Sequence, residues 1–320
     1  MSMSQAAQLT VIVPAFNASN TIERCLNSIV NQSLKNIQII VVDDCSTDNT
    51  YDIVKQFQTK YNNIKIEKFE KNMDVGYGRN YALNLVNTDY VTFVDSDDWV
   101  DTNAYKNCMQ RLTEEQSDVA VFGIKNEFDN KVLSQIRYEY ADNYISGAFA
   151  LNLLCNVFAL DISLSPIVNN KIYSTKLLKE HNIQFGDMHY YEDMVFSFNV
   201  MQHAKTVSLV SNTYYHYYQN PASKLHNISS NQLDCFCESL KQIYDIINHD
   251  DKKVMELFFS FLDKSVCALV GRIDDFVASS HDKKQLLVHL FTELTKVVPM
   301  NKFIEYIDIR RIINAIRLTY

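Results

Sequence analysis

Three short apolar, β-branched runs mark the N-terminal third of the chain, and each stops at a polar cluster. Leu9–Val13 runs into Pro14-Ala15-Phe16-Asn17, Ile37–Val42 into Asp43-Asp44, and Tyr90–Val94 into Asp95-Ser96-Asp97-Asp98. Runs of this length without alternation predict strands buried on both faces. Between them Ile22, Cys25, Leu26, Ile29 and Val30 recur at helical spacing, with Asn17 to Asn20 offering capping side chains. Thr50–Tyr61 predicts a second helix, Ile64–Ile66 a short strand and Gly78–Val86 a further helix. Strand and helix alternating at this interval predict a parallel α/β unit. In such sheets ligands bind beyond the carboxyl ends of the strands, where the three polar clusters converge.

Farther on, Asp118–Phe122 and Thr206–Val210 predict strands, Asn170–Lys179 leads into a helix, and Glu192–Met201 forms the next. After about Asn227 strand signals fade, so Leu233–Tyr320 is read as several helices. Within it Phe303, Ile304, Ile307, Ile312, Ile313 and Ile316 form an apolar stripe beside Lys302, Arg310, Arg311 and Arg317. The stripe is read as packing on the protein's own helices or on a twin subunit, with peripheral contact to an anionic membrane as the alternative.

Composition narrows the classes. The 320 residues exceed one small core, which predicts a catalytic domain plus an appended piece. Six Gly and four Pro leave little room for flexible linkers. A net charge of −8 gives no support to nucleic-acid binding. Seven irregularly spaced cysteines argue against a disulfide framework and for a reducing compartment, and Cys235-x-Cys237 is too close for a zinc knuckle. No signal peptide precedes the first apolar run, and no run reaches the roughly 18–20 apolar residues that span a bilayer, so a cytoplasmic protein is expected.

Candidate chemistry centres on Asp95-Ser96-Asp97. In an extended segment both carboxylates would point to one side. Two hard oxygen ligands so placed suit Mg²⁺ or Mn²⁺ carried on a diphosphate, although Asp and Ser are also common at strand ends for turn reasons alone.

With the other clusters the chain resembles the family 2 glycosyltransferases of GT-A fold, over roughly Leu9 to His226. The matching segments are Val11–Asn17, Ile40–Thr50, Arg79–Ala82, Phe93–Trp99 and Tyr191–Phe196. The resemblance implies a GT-A, Rossmann-like mixed sheet flanked by helices, with a helical C-terminal extension. Residues 1–226 would form the catalytic domain, 1–104 its nucleotide-sugar half and 105–226 its acceptor half, and 227–320 the helical region. It implies an inverting transfer from a UDP-sugar to a glycan acceptor, free or lipid-linked, of bacterial surface-glycan type, at the inner face of the membrane or in the cytoplasm. Pro14, Ala15 and Phe16 would line the base pocket, with Phe16 where the family often has Tyr, and Asn17 would be a further donor-binding residue. Asp44 would accept the uracil N–H, and Arg79 would reach the base or diphosphate. Asp95 and Ser96 would touch the donor, Asp97 with Asp95 would hold the metal, and Asp193, assisted by Glu192, would be the general base. The aromatic segment Tyr214–His226 matches the family more loosely: Ser223, Lys224 or His226 could close over the diphosphate and His216 could reach the metal, although a histidine in an aromatic strand is more often a packed one.

Two rivals are set against this. A nucleotidyltransferase would need a glycine-rich basic loop after the first strand, which Pro14-Ala-Phe-Asn17 does not provide. A catalytically inactive sugar-nucleotide sensor or scaffold would bind donor without turnover.

Overall fold

The computed structural model describes residues 8–129, 131–138, 144–155, 164–219, 228–299 and 302. They fall into two compact units: one draws on the stretches 1–148, 167–185 and 202–220, the other on 149–166, 186–201 and 221–320.

The first unit opens with β1 (Leu9–Ala15), α1 (Ile22–Val30), β2 (Ile37–Asp43), α2 (Thr50–Lys60), β3 (Ile64–Lys68), α3 (Val75–Leu83) and β4 (Tyr90–Phe93). β1 pairs in parallel with β2 on one side and β4 on the other, and β2 with β3. The apolar runs thus become the buried centre of the sheet: Val11, Ile12, Val13, Ile39, Ile40 and Val41 have no exposed surface. Pro14 does not end the first strand. It pairs with Val42, and β4 has already finished opposite Ile12, so β1 has no β4 neighbour there and the missing N–H costs no ladder bond. Nor do Asn17 to Asn20 cap α1, whose N-cap is Thr21 without a side-chain cap bond.

The chain continues through β5 (Trp99–Val100), α4 (Ala104–Glu115), β6 (Val119–Phe128), β7 (Lys131–Ile136), β8 (Tyr144–Ser146) and α5 (Gly147–Cys155). Then come β9 (Lys171–Ser174), α6 (Thr175–Glu180), α7 (Glu192–His203) and β10 (Thr206–Tyr218). The strands form one mixed sheet in the order β3-β2-β1-β4-β9-β6-β10-β5, with β7 on β6 and β8 on β10. β9 lies antiparallel between β4 and β6, where the sequence predicts only a lead into a helix. β10 is also longer than its apolar run, because a bulge between Val210 and Thr213 lets it continue through the aromatic residues. Gly123 of β6 permits the bulge: a Cβ there would lie 2.7 Å from Thr213 Cγ2 and 2.6 Å from the Ile136 carbonyl oxygen.

In the second unit α8 (Ser230–Ile246), α9 (Lys252–Phe276) and α10 (Ser280–Leu294) bury Leu233, Phe236, Leu240, Phe258, Leu262, Leu287 and Leu290. Ser229, Asp251 and Ser279 cap their N-termini through side-chain oxygens. No helix among the described residues is long and apolar enough to cross a membrane. The stripe predicted over 303–316 lies outside the described residues.

Candidate functional site

Three neighbouring strands, β2, β1 and β4, deliver the polar clusters side by side. Ala15 pairs with Asp43, and the N–H of Asp44 donates to the Ala15 carbonyl at 2.8 Å. Beyond Ala15 the side chain of Phe16 stands 43% exposed, an open aromatic face at the strand end. Asn17 takes a left-handed backbone (φ 50°), and its Oδ1 accepts from the Thr47 N–H at 2.9 Å. Asp48 secures the same two loops, accepting from Ser19 N–H at 3.0 Å and from Thr50 N–H at 3.0 Å. Burial opposes its ionisation, but the Thr50 and Ser19 hydrogen bonds outweigh it and hold the pKa down at about 2. Asp44 is buried, which raises its pKa, while its Oδ1 accepts from the Met73 N–H at 2.7 Å.

Asp44 thereby anchors the segment that starts α3, which carries Arg79. The helix is entered through Asp74 at φ 69° and ψ 157°, a region ordinarily left to glycine. Arg79 is buried, its guanidinium 5.2 Å from the Phe185 ring centroid, and its Nη2 donates to Asp95 Oδ1 at 2.7 Å. Asn169 Nδ2 donates to the other oxygen of Asp95 at 2.6 Å.

Asp95 to Asp98 form a turn closed by the Asp98 N–H on the Asp95 carbonyl at 3.0 Å, so strand alternation does not set the directions of Asp95 and Asp97. Asp95 is clamped, whereas Asp97 is half-buried beside it with Ser96 between them. Burial, and then the Asp95 charge, push the Asp97 carboxyl up to about 6 against the pull of Arg24. Arg24 Nη2 donates to the Asp97 carbonyl at 2.6 Å, and its Cζ lies 3.9 Å from the Trp99 ring centroid. Asp98 is fully buried and structural: it accepts from Tyr215 Oη at 2.5 Å and from the Tyr218 N–H at 2.8 Å.

His216 lies on β10 opposite Trp99 of β5. Its ring stacks on Trp99 (centroids 4.9 Å apart), with Nδ1 2.6 Å from Glu127 and Nε2 3.0 Å from Asp101. Both ring nitrogens are thus occupied, the packed arrangement common for a histidine in an aromatic strand. Ser223, Lys224 and His226 lie outside the described residues.

Asp97 suits a hard divalent cation: an oxygen ligand on which unpaired negative charge is held at a cost. Among the described residues a three-ligand set of His, Cys, Asp or Glu occurs elsewhere, at Asp234, His289 and Glu293, and not at this turn. A cation here would need further oxygens, which a diphosphate supplies and which Mg²⁺ sites habitually use.

In the second unit Glu192 and Asp193 occupy the first turn of α7, where the helix dipole favours acids. Glu192 is buried and Asp193 half-buried. They follow Tyr191, a bulky residue at φ 64°, whose hydroxyl accepts from Arg272 Nη1 at 3.4 Å and whose ring lies 5.4 Å from Phe236. Sequence reasoning missed Asn169, Arg24 and the structural role of Asp98. Of these only Asp98 lay inside a recognised motif, Phe93–Trp99.

The profile of the family described as Glycosyl transferase family 2 matches residues 10–192. Over 172 residues the chain is 40% identical to glycosyltransferase GlyA of Streptococcus pneumoniae, covering 54% of this chain and 22% of that protein. It is 32% identical over 214 residues to the poly(ribitol-phosphate) beta-N-acetylglucosaminyltransferase TarS of Staphylococcus aureus, covering 66% of this chain and 35% of that protein. The chain therefore spans well under half the length of either relative. The crystal structure of S. aureus TarS 1-349 in complex with UDP-GlcNAc is similar with a TM-score of 0.72 at 25% identity, over 92% of this chain and 82% of that one.

Proposed function

Because the chain belongs to glycosyl transferase family 2, we propose that it transfers a sugar from a UDP-sugar, with inversion, to a hydroxyl of a surface-glycan acceptor, free or lipid-linked. The observation that carries this reading is the meeting of Phe16, Asp44, the Arg79–Asp95 pair and Asp97 at the carboxyl ends of β1, β2 and β4. Support for uridine comes from the relative whose structure holds UDP-GlcNAc.

In this reading Phe16 stacks on the base, with Pro14, Ala15 and Asn17 shaping its pocket, and Asp44 accepts the uracil N–H. Arg79 orients the donor through its buried guanidinium. Asp97 with Asp95 would hold Mg²⁺ or Mn²⁺, which would supply positive charge to the diphosphate leaving group. Asp193 takes the proton of the acceptor hydroxyl as that oxygen bonds to the anomeric carbon and the bond to UDP breaks on the opposite side. Glu192 orients the acceptor or the base. Residues 1–104 supply the donor contacts, and the reaction belongs in a reducing, cytoplasmic compartment, for which the odd number and irregular spacing of the cysteines speak.

The test is calorimetric titration of the full chain with UDP and the other nucleoside diphosphates plus Mn²⁺, followed by turnover of a UDP-sugar panel. Selective UDP binding is expected. Asp193→Asn should lower kcat by about 10²–10⁴ and leave UDP affinity within about twofold, the loss typical of a missing general base. Binding without turnover by the wild type on any acceptor panel favours the sensor reading, and absence of nucleotide binding removes the donor site altogether.

A further inference from the structure

Asn169 reaches Asp95 from a strap, residues 167–171, that is tied to the sheet at several points. Asn170 Nδ2 donates to the Phe122 carbonyl of β6 at 2.8 Å, and Thr92 Oγ1 of β4 donates to the Lys171 carbonyl at 2.7 Å. Lys171 has no exposed surface, and its Nζ donates to the Ile167 carbonyl at 2.5 Å and to Asn170 Oδ1 at 2.8 Å. An ammonium withdrawn from water is a costly way to shape a loop, and apolar residues would fill the interior of the sheet more cheaply. What the loop achieves is the delivery of Asn169, 95% buried, to the carboxylate of Asp95. The amide is oriented for that contact at the expense of its other end. Asn169 Oδ1 is buried with no hydrogen-bond partner among the described residues.

The chemistry of the side chain fits the place. A lysine or arginine at 169 would add a second cation beside Arg79 and weaken the pull of the turn on a divalent ion. A carboxylate would repel Asp95. A carboxamide N–H holds Asp95 Oδ2 without changing the charge, so the Arg79–Asp95 pair stays balanced and Asp97 keeps the net negative charge.

We propose that Asn169 is a positioning residue of the donor site: it fixes the carboxylate plane of Asp95, and through it Arg79, for the nucleotide. The inference rests on the UDP-sugar reading above. Its test is UDP titration with Mn²⁺ on the full chain, with thermal melts alongside, for wild type, Asn169→Ala, Asn169→Asp, Asp95→Asn and the double variant Asn169→Ala/Asp95→Asn. Asn169→Ala should weaken UDP binding about tenfold, the effect of one lost charge-assisted hydrogen bond, and Asn169→Asp should weaken it more. In the Asp95→Asn background the alanine change should alter affinity less than about twofold, since an amide at 95 no longer makes the ion pair with Arg79 that Asn169 aligns. Undiminished binding by Asn169→Ala, or effects that add across the two sites, overturns the inference while leaving the donor site standing. If the alanine variant does not fold, Asn169→Asp, of equal size, decides the same question by UDP affinity alone. Failure of the wild type to bind any nucleoside diphosphate overturns the donor reading itself, and the two failures are therefore distinguishable.

Discussion

Asp97 holds its charge against the fold, so removing that charge should stabilise the protein while disabling it. Its pKa rises on folding from 3.8 to about 6, through burial first and the neighbouring Asp95 second, with Arg24 opposing. A carboxyl that binds its proton more tightly when folded loses stability as pH climbs from about 4, and the full cost stands above about 6. Two pKa units correspond to about 3 kcal/mol, which screening at a half-buried turn reduces to about 1–2 kcal/mol. Asp97→Asn should therefore melt about 2–6 °C above wild type at pH 7.5 in EDTA. The gap should close toward pH 4, where the wild-type carboxyl is itself protonated. Addition of Mn²⁺ and UDP should reverse the order, because ligand that binds only the wild type raises its melting point by mass action. Differential scanning calorimetry at the two pH values reads all of this. A variant less stable than wild type at pH 7.5 without metal, or a gap that ignores pH, would refute the argument.

Other expectations are narrower. Phe16→Ala should weaken UDP binding by about 1–3 kcal/mol, the worth of one base stack, with no change in melting temperature because the ring is 43% exposed, and calorimetry checks both. His216→Phe should cost about 1–3 kcal/mol of stability by stranding the buried carboxylate of Glu127, whereas Asp101 keeps Lys125; Mn²⁺ affinity should stay as it was, and a lost metal response would make His216 a ligand. Asp48→Asn should destabilise the fold at neutral pH by about 1–2 kcal/mol, and denaturant titrations should show the deficit shrinking as pH falls from about 4 toward 2. The depressed pKa makes the contribution of Asp48 complete above the ordinary carboxyl value and lost as the folded-state value is crossed.

The parallel half of the sheet could be read from the chain because its strands are buried on both faces and therefore apolar throughout. The same rule hid β9, where Lys171 is the most polar of residues and yet has no exposed surface. Hydrophobic pattern has no means of announcing a lysine satisfied by carbonyl oxygens. β10 outran its apolar run because a bulge after Val210 resets the register before Tyr214, Tyr215 and His216 return to the buried interior. The polar clusters of β1, β2 and β4 were placed by topology alone, since parallel neighbours end at one edge. Which acid does what was not legible. Asp95, Asp97 and Asp98 are the same residue type within one turn, and only their partners tell a clamped carboxylate from a strained one and a buried strut. Asn169 lies 74 residues from Asp95, and no local spacing connects them.

None of the glycines in the described residues takes a positive φ, while Asn17, Cys45, Asp74 and Tyr191 all do. The loops at the strand ends of the first unit and before the acid pair of the second are thus bent with side chains that tolerate few backbone conformations, where glycine would tolerate many. Glycine hinges would lose their freedom each time a nucleotide arrived, whereas these loops have lost it already on folding. Each of these loops should behave as a mould set before any ligand comes, and substitution of the four positions by glycine would loosen each loop without deforming it.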